Sequence, residues 1–464
     1  MPPGFSTRRP KTQSQASLSN DCRVSRSGPT SMNYAFPSDL VDQIIERWHT
    51  FVTRHDQPAP PLPPPASLRL ILETAFFASL AREEGRDLRF VLCCAPTTVI
   101  PRDGEGAVPV VPFDTPKPLT AEALRSLAPA VSPTNAAILI RCPLPDSDSS
   151  ACEIAGVLNV GSHLARSRSG RAFYHRPSPY ALLIDVRDAG EMHVYRGGIK
   201  LATLKAGRLQ DQLAYSGLEF LPISDILASG TNSLRTRIQR PVNEPVRESA
   251  DFEWTALLNT ILCVVNGVKE HGHGGTVLLV APGSESTLPI RTKFDVDARN
   301  CVVTDCFVDF VNARHKLASA KTDVSTRDGR DGVSHLKNAT FVAEEDLADA
   351  ADLTARLSAV DGALVLRADL TVLGFGAEIV VDAAQTVDAF EVTGHPLRNG
   401  NWPSVDSESF GMRHRSAVRC IAMSEGSAAF VVSQDGTVTF MWKQDGRLLL
   451  KRNVNTANPN MVGA

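Results

Sequence analysis

The chain has 464 residues, enough for two or three domains that each bury their own core. Its 48 Lys and Arg residues nearly balance 51 Asp and Glu residues, for a formal net charge of −3. This balance does not indicate a general nucleic-acid-binding surface and leaves only a local basic pocket open. No stretch approaches the ~20 apolar residues of a membrane span, and the N-terminus lacks the apolar segment of a signal peptide. We therefore expect a soluble, cytoplasmic protein.

The nine cysteines form no Cys-x-x-Cys pair, and their number is odd. Most of them lie in apolar runs, such as Cys93 and Cys94 at the end of a strand-like segment. This pattern favours buried free thiols in a reducing compartment over disulfides or a metal site.

The first half of the chain alternates helix and strand patterns after a polar tail at residues 1–32. The predicted elements are a helix at 40–48, a polyproline spacer at 58–65, a helix at 68–80 with Gly85 as its C-cap, and strands at 90–94, 137–140, 154–160, 181–186, 192–195 and 199–201. Together they predict an N-terminal α/β domain at residues 33–231, of unknown role. A polar linker at 232–249 follows it.

The second half predicts a domain at residues 250–455 and a short tail at 456–464. Its predicted elements are helices at 252–268, 308–317 and 344–357, a mobile loop at 321–334, strands at 276–280 and 364–366, and a closing three-stranded antiparallel meander at 428–450. His271 and His273 could hold a metal, and the glycines beside them could bind an anion, but a helix-to-strand turn is favoured. The fold class is thus α/β: an N-terminal α/β unit, then a domain with a central mixed β-sheet flanked by helices.

An acid followed by two small residues, Asp361-Gly362-Ala363, stands where a helix ends and a buried strand begins. Such junctions often carry functional groups in open α/β sheets. Small residues let backbone and ligand approach closely. The nearby glycines at 374 and 376 could let a nucleotide base lie against the backbone, or could form a β-bulge.

A second motif, Gly411-Met412-Arg413-His414-Arg415, precedes an apolar helix pattern. Two guanidinium groups at a helix start can grip phosphate oxygens, and the backbone N–H groups of the first turn add to them. The alternative interpretation of this motif is a solvated basic turn. The chain contains no P-loop motif, which argues against an ordinary P-loop NTPase.

Together, these two motifs and the later strand that ends at Ser433 resemble the diadenylate cyclase domain of the DNA integrity scanning protein DisA and its relatives. That family carries Asp-Gly-Ala and Gly-Thr-Arg-His-Arg motifs in the same order. The long-range layout is also similar to the DisA-N-related group described as probable nucleotide sensors, the DACNV type. The landmarks of this second resemblance are residues 83–86, 273–275 and 358–363.

The resemblance implies a role for each motif residue. Asp361 would bind a catalytic Mg²⁺ or Mn²⁺ ion and help to activate a ribose 3′-hydroxyl. The nucleotide would be lined by Gly362 and Ala363, and its triphosphate held by the segment from Gly411 and Met412 to Arg413, His414 and Arg415. Ser433 would approach the terminal phosphates. The family joins two ATP molecules into cyclic di-AMP across a face-to-face homodimer.

Two positions depart from the family pattern. Met412 replaces a Thr, which removes one hydroxyl worth roughly 0.5–1.5 kcal/mol. Gln434-Asp435 replaces a Glu-Glu pair, which weakens catalysis more than binding if that carboxylate assists the metal. We therefore expect an ATP-binding diadenylate cyclase-like protein, a nucleotidyltransferase. The alternative is a signalling sensor that binds a nucleotide second messenger without turnover. A scaffold role would leave both motifs unexplained.

Overall fold

The computed structural model describes residues 34–50, 61–83, 85–94, 110–131, 135–143, 151–159, 181–196, 199–209, 218–240, 246–297, 299, 301–321, 327–381, 387–393, 402–454 and 456. These residues form two mixed β-sheets, each flanked by helices. The predicted α/β fold class is confirmed. The predicted tail at residues 1–32, and residues 197–198 between the predicted strands at 192–195 and 199–201, lie outside the described residues.

The first sheet belongs to the N-terminal half. Within the described ranges it holds eight strands in the order β10-β9-β8-β7-β3-β5-β6-β4, and only the β3–β5 pair is parallel. A small hairpin of two strands, β1 (Arg82–Glu83) and β2 (Arg86–Asp87), precedes it. The strands of the sheet are β3 (Phe90–Cys94), β4 (Val110–Pro118), β5 (Ala136–Arg141), β6 (Glu153–Asn159), β7 (Leu182–Asp188), β8 (Glu191–Arg196), β9 (Ile199–Lys205) and β10 (Arg208–Leu209).

Three helices pack on one face of this sheet: α1 (Leu40–Thr50), α2 (Pro65–Ser79) and α3 (Ala121–Leu127). Their apolar stripes, which include Leu72 of α2, form one core with alternate strand residues such as Leu92 and Ile184. The helix α2 ends at Ser79, so the prediction that Gly85 is its C-cap is wrong. Gly85 instead lies between β1 and β2, at a φ of 78° that suits a tight turn.

The second sheet belongs to the C-terminal half. Over the described residues its order is β12-β15-β14-β11-β18-β19-β20-β16-β17, with β13 also paired to β15. Its strands are β11 (Gly275–Val280), β12 (Ile290–Arg291), β13 (Phe294–Asp295), β14 (Ala363–Arg367), β15 (Val372–Ile379), β16 (Ala389–Glu391), β17 (Ser404–Val405), β18 (Ser427–Val432), β19 (Val438–Gln444) and β20 (Arg447–Lys451). The pairings β18–β19 and β19–β20 confirm the predicted antiparallel meander.

Helices cover both faces of the second sheet. One face packs against α4 (Ser224–Ser233), α5 (Val246–Glu270), α6 (Val302–Lys321) and α7 (Arg327–Arg356). The other face packs against α8 (Met412–Met423), through Ala417, Val418 and Ile421. The central strand β11 is buried throughout, as expected for a continuous apolar run with helices on both sides.

One expectation about loops needs correction. The predicted mobile loop at 321–334 is helical from Arg327 onward, because α7 begins there and packs along α6. In the described part of the predicted linker at 232–249, Leu234 and Ile238 lie in the core of the second half, and Arg240 pairs with the buried Glu253 at 2.6 Å. The predicted domain limits stay a prediction. We propose moving the start of the second domain to about residue 218.

The cysteines agree with the predicted burial. Within the described part of the chain, eight cysteines are free thiols, and all but Cys306 are buried. Burial raises the pKa of Cys93 to about 12 and that of Cys420 to about 11, which keeps both thiols protonated. No helix in the described ranges combines the length and apolar character that a membrane crossing needs.

Candidate functional site

Both predicted motifs meet at one end of the second sheet. The strands β11 and β14 are parallel, and β18 runs antiparallel to β11 on its other side. In this register Gly275 faces Val432, and Thr276 faces Ala363. The start of β11, the start of β14 and the end of β18 therefore lie side by side. We call this the amino edge, formed by residues 273–275, 361–363 and 432–433.

Glycines are required at the amino edge by the backbone itself. Gly362 has a φ of 130°, and a Cβ there would lie 2.3 Å from the carbonyl carbon of Gly376. Gly274 has a φ of 64°, and a Cβ there would lie 2.7 Å from the carbonyl oxygen of Val432. The pairing of β14 with β15 also shifts register around Gly374, which agrees with the β-bulge interpretation of the glycines at 374 and 376, and their contact with a nucleotide base stays a prediction.

The Arg-His-Arg motif begins a helix that lies over this edge. The helix α8 starts at Met412, and its N-cap is Gly411, which has no side chain to cap the first N–H groups. Arg413 is exposed, and its Nη1 donates a hydrogen bond to the carbonyl oxygen of His273 at 3.2 Å. The Arg413 guanidinium therefore lies beside the glycines of β11 and keeps its other donors available.

The next two motif residues have partners of their own. His414 Nε2 lies 3.1 Å from the hydroxyl of Thr439, and burial lowers the pKa of His414 from 6.5. This shift favours the uncharged form of the His414 imidazole. Arg415 Nη1 lies 3.8 Å from a carboxylate oxygen of Glu408, a loose pairing because that carboxylate also contacts Arg419 at 2.7 Å. Met412 is 77% exposed at the start of the helix.

On the opposite side of the amino edge stands a cation that the sequence did not reveal. Lys293, in the turn between β12 and β13, donates a hydrogen bond from Nζ to the backbone oxygen of Asp361 at 2.9 Å. The Asp361 side chain is exposed. No sequence pattern marks Lys293, because its position depends on the pairing of β13 with β15, in which Phe294 lies opposite Phe375, 81 positions along the chain.

The turn after β18 completes the edge. The backbone of Ser433 closes this turn. Its N–H donates a hydrogen bond to the carbonyl oxygen of Thr437 at 2.9 Å, and its carbonyl oxygen accepts one from the N–H of Gly436 at 3.0 Å. Asp435 accepts hydrogen bonds from the N–H of Thr437 at 2.9 Å and from its hydroxyl at 2.8 Å. Although burial acts in the other direction, these bonds lower the pKa of Asp435. One of its oxygens is thus already occupied in holding the turn.

The structure therefore brings the predicted residues to the amino edge, but their side chains differ in burial. Asp361, Arg413 and Ser433 lie around it, whereas the side chain of Ala363 is buried under α8 and packs in the core. That packing accounts for the small size of Ala363. The roles assigned to these residues stay predictions.

The donor chemistry at the edge restricts what metal it could hold. The described residues contain no cluster of three or more His, Cys, Asp or Glu side chains able to bind a metal ion, and this includes His271 and His273. Asp361 is a single exposed carboxylate. Mg²⁺ commonly binds one or two carboxylates together with substrate phosphates. The residues thus fit an ion that arrives with a nucleotide rather than one held by protein alone.

Comparison with known proteins adds one finding, in the other half of the chain. Residues 57–159 match a family model described as the probable sensor domain DACNV. The match begins before α2 and ends with β6, so it includes part of the first sheet and none of the amino edge. No curated protein matches the chain.

The DACNV match supports the predicted similarity to sensor proteins of that type. It concerns only the first half of the chain and says nothing about the Asp361 or Arg413 motifs. It lends no support to a diadenylate cyclase activity, which stays a prediction.

Proposed function

We propose that the chain is a sensor-type protein whose second half binds a nucleotide at the amino edge. One observation carries this proposal: Arg413 and Lys293 approach the edge from two sides, and each donates to a backbone carbonyl oxygen rather than to a carboxylate. Among the described residues neither cation forms an ion pair with a carboxylate, and between them lies a strip of glycine backbone. Phosphate oxygens are the complementary ligand for such cations.

In this proposal the nucleotide is ATP or a related adenine nucleotide. Arg413, His414 and Arg415 hold its phosphates together with the uncapped N-terminus of α8. Gly362 allows close approach to the backbone, and Ser433 lies near the terminal phosphates. A Mg²⁺ or Mn²⁺ ion would bind between Asp361 and the phosphates, where it would offset their charge.

The second candidate function is that of a diadenylate cyclase, with two chains face to face. The exposed Asp361 favours it, because a carboxylate at the same edge as Arg413 could bind metal beside a ribose hydroxyl. Two features favour the sensor: Gln434 stands where the cyclase family has an acid, and the Asp435 carboxylate is engaged with Thr437.

One experiment tests both functions. The full chain is titrated with ATP in the presence of Mn²⁺ by calorimetry, and the same mixture is then analysed for cyclic di-AMP by mass spectrometry. The sensor proposal expects binding without product. Product would establish the cyclase, and in that case Asp361→Asn should lower its formation at least 100-fold while ATP still binds. No binding of any adenine or guanine nucleotide at millimolar concentration would refute the site.

A further inference from the structure

The two sheets meet at a junction that is rich in charged side chains. Arg187 of β7 stands at its centre, and its three nitrogens have separate partners. Its Nε lies 2.9 Å from Asp185, its Nη2 lies 3.1 Å from the hydroxyl of Tyr195, and its Nη1 lies 3.5 Å from Glu270 at the end of α5. Arg187 therefore links the first sheet to the helix that leads into the amino edge.

Two lysines lie at the same junction without an acidic partner. Lys200 pairs with Tyr195 across β8 and β9, and its ammonium lies 5.9 Å from the centre of the Tyr195 ring. Lys269 precedes Glu270 on α5. Among the residues that the structure describes, neither ammonium has a hydrogen bond or an ion pair. By contrast, Lys205 of the same sheet is paired with Glu191 at 3.1 Å.

The acids of the junction are already occupied. Asp185 and Glu270 both contact Arg187, and their charges reach Lys200 only from a distance. Burial, and then the neighbouring cations Lys269 and Arg187, lower the pKa of Lys200 to about 7. Burial and then Arg187 likewise lower the pKa of Lys269. Such shifts are expected where cations share a partly dry site that lacks a counter-charge.

We propose that this junction is a second anion site, in which Lys200 and Lys269, backed by Arg187, bind the phosphate group of a small ligand. The anion supplies the counter-charge that the described side chains do not. The site is separate from the amino edge but adjoins it. The Cε atom of Lys269 lies 3.3 Å from the place of a Cβ on Gly436, in the turn that follows Ser433. An anion held by Lys269 would therefore touch the turn that borders the amino edge. The proposal does not rest on nucleotide binding at that edge.

The first test uses sulfate as the probe, since it stays doubly charged across the pH range and mimics phosphate. We compare the full chain with a double variant, Lys200→Met and Lys269→Met, which keeps the length of both side chains. Lys443→Met is the matched control, because Lys443 is paired with Glu425 on the second sheet. Sulfate affinity is measured by thermal shift against sodium chloride of equal ionic strength. We expect it to fall at least tenfold in the double variant and to change less than twofold in the control.

Two results would overturn the site. One is an equal response to sulfate in the double variant, or a response no larger than that to chloride in the wild type. The other is loss of the sulfate response in Arg413→Ala, which would place the anion at the amino edge instead.

A second measurement tests the same site on the wild-type chain, in case the double variant does not fold. Sulfate is titrated into the wild type at pH 8 by calorimetry, in two buffers with different ionisation enthalpies. An anion beside Lys200 raises the pKa of that ammonium, whose other charged neighbours are Asp185, Arg187, Lys269 and Glu270. Binding should then take up protons. Binding without proton uptake would mean that sulfate does not lie beside Lys200.

Discussion

Charged side chains have different partners at the two ends of the parallel strands β11 and β14. At the carboxyl ends of β11 and β14, Arg367 forms a fork with Asp369, with two N···O distances of 2.9 Å, and also lies 3.4 Å from Glu285. Asp369 accepts further bonds from Ser233 and from the backbone of Thr371. At the amino ends, Arg413 and Lys293 bind only backbone carbonyl oxygens among the residues described.

This difference indicates where a ligand could bind. In open α/β sheets ligands usually bind beyond the carboxyl ends of the strands. Here the charges at that end neutralise each other and close a turn, so they contribute to stability and leave nothing for an anion. The amino edge has two cations that form no ion pair among the described residues, one exposed carboxylate, Asp361, and glycines without side chains. We infer that ligand binding has its place at the amino end, and substitutions at the two ends should therefore have opposite consequences.

The largest effect is expected at the carboxyl end. Arg367→Met leaves Asp369, which is 4% exposed, with its charge buried and without its guanidinium partner. Removing one partner of a buried ion pair costs about 3–5 kcal/mol. We expect a loss of this size in the free energy of unfolding, measured by urea denaturation.

The matched control stands at the other end of the strands. Arg413→Met removes an exposed guanidinium with one backbone contact, so the free energy of unfolding should change by less than about 0.5 kcal/mol. Equal losses in the two variants would mean that Arg413 is as structural as Arg367, and the contrast between the ends would disappear.

A smaller loss of stability is expected from the backbone of the amino edge. Gly362→Ala places a methyl group against Gly376 at a φ that L-residues rarely adopt, and such strain costs about 1–3 kcal/mol. Gly411→Ala is the control, since nothing lies within 4 Å of a Cβ there, and its cost should stay below about 1 kcal/mol. Thermal denaturation of both variants checks this order. A neutral Gly362→Ala would show that β14 and β15 can move apart.

The strands and motifs of the amino edge were predicted from the sequence better than the long-range contacts around them. Buried apolar runs such as β11 and the meander follow directly from side-chain patterning, which is local. Asp361 and Arg413 were found because their neighbours in the chain form motifs. Lys293 and Arg187 were missed, since each contacts residues far along the chain and no local pattern marks it. Likewise, the polar composition of residues 232–240 did not reveal that Leu234 and Ile238 reach the core.

The third prediction concerns binding at the amino edge. Arg413→Ala and Arg415→Ala should each weaken ATP binding tenfold or more, because a charge-assisted contact contributes about 1.5–3 kcal/mol. Calorimetry measures the affinity, and urea denaturation verifies that the fold persists. Arg356→Ala is the control, since this arginine is paired with Asp352 on the surface of α7. Unchanged affinity in both motif variants would reduce the motif to a solvated turn.

The smallest expected effect is on the pH dependence of stability, which should differ between the two ends of the strands. At the amino edge, burial and the nearby Arg452 lower the pKa of His414 from 6.5, while Asp435 acts in the opposite direction. At the carboxyl end, burial opposes the shift, but bonds from Arg367 and Thr371 lower the pKa of Asp369 from 3.8. The two groups therefore affect stability in different pH windows.

As the pH falls below 6.5, the unfolded chain binds a proton at His414 before the folded chain does, so the free energy of unfolding decreases. The slope from one such group is at most about 1.4 kcal/mol per pH unit. Asp369 has the same sign, but its contribution is lost only as the pH falls below 3.8. His414→Gln removes the first titration and can still bond Thr439. We expect its stability to fall less than that of the wild type between pH 7 and pH 5, as followed by urea denaturation. Identical pH profiles would mean that His414 is as accessible to protons in the folded chain as in the unfolded one.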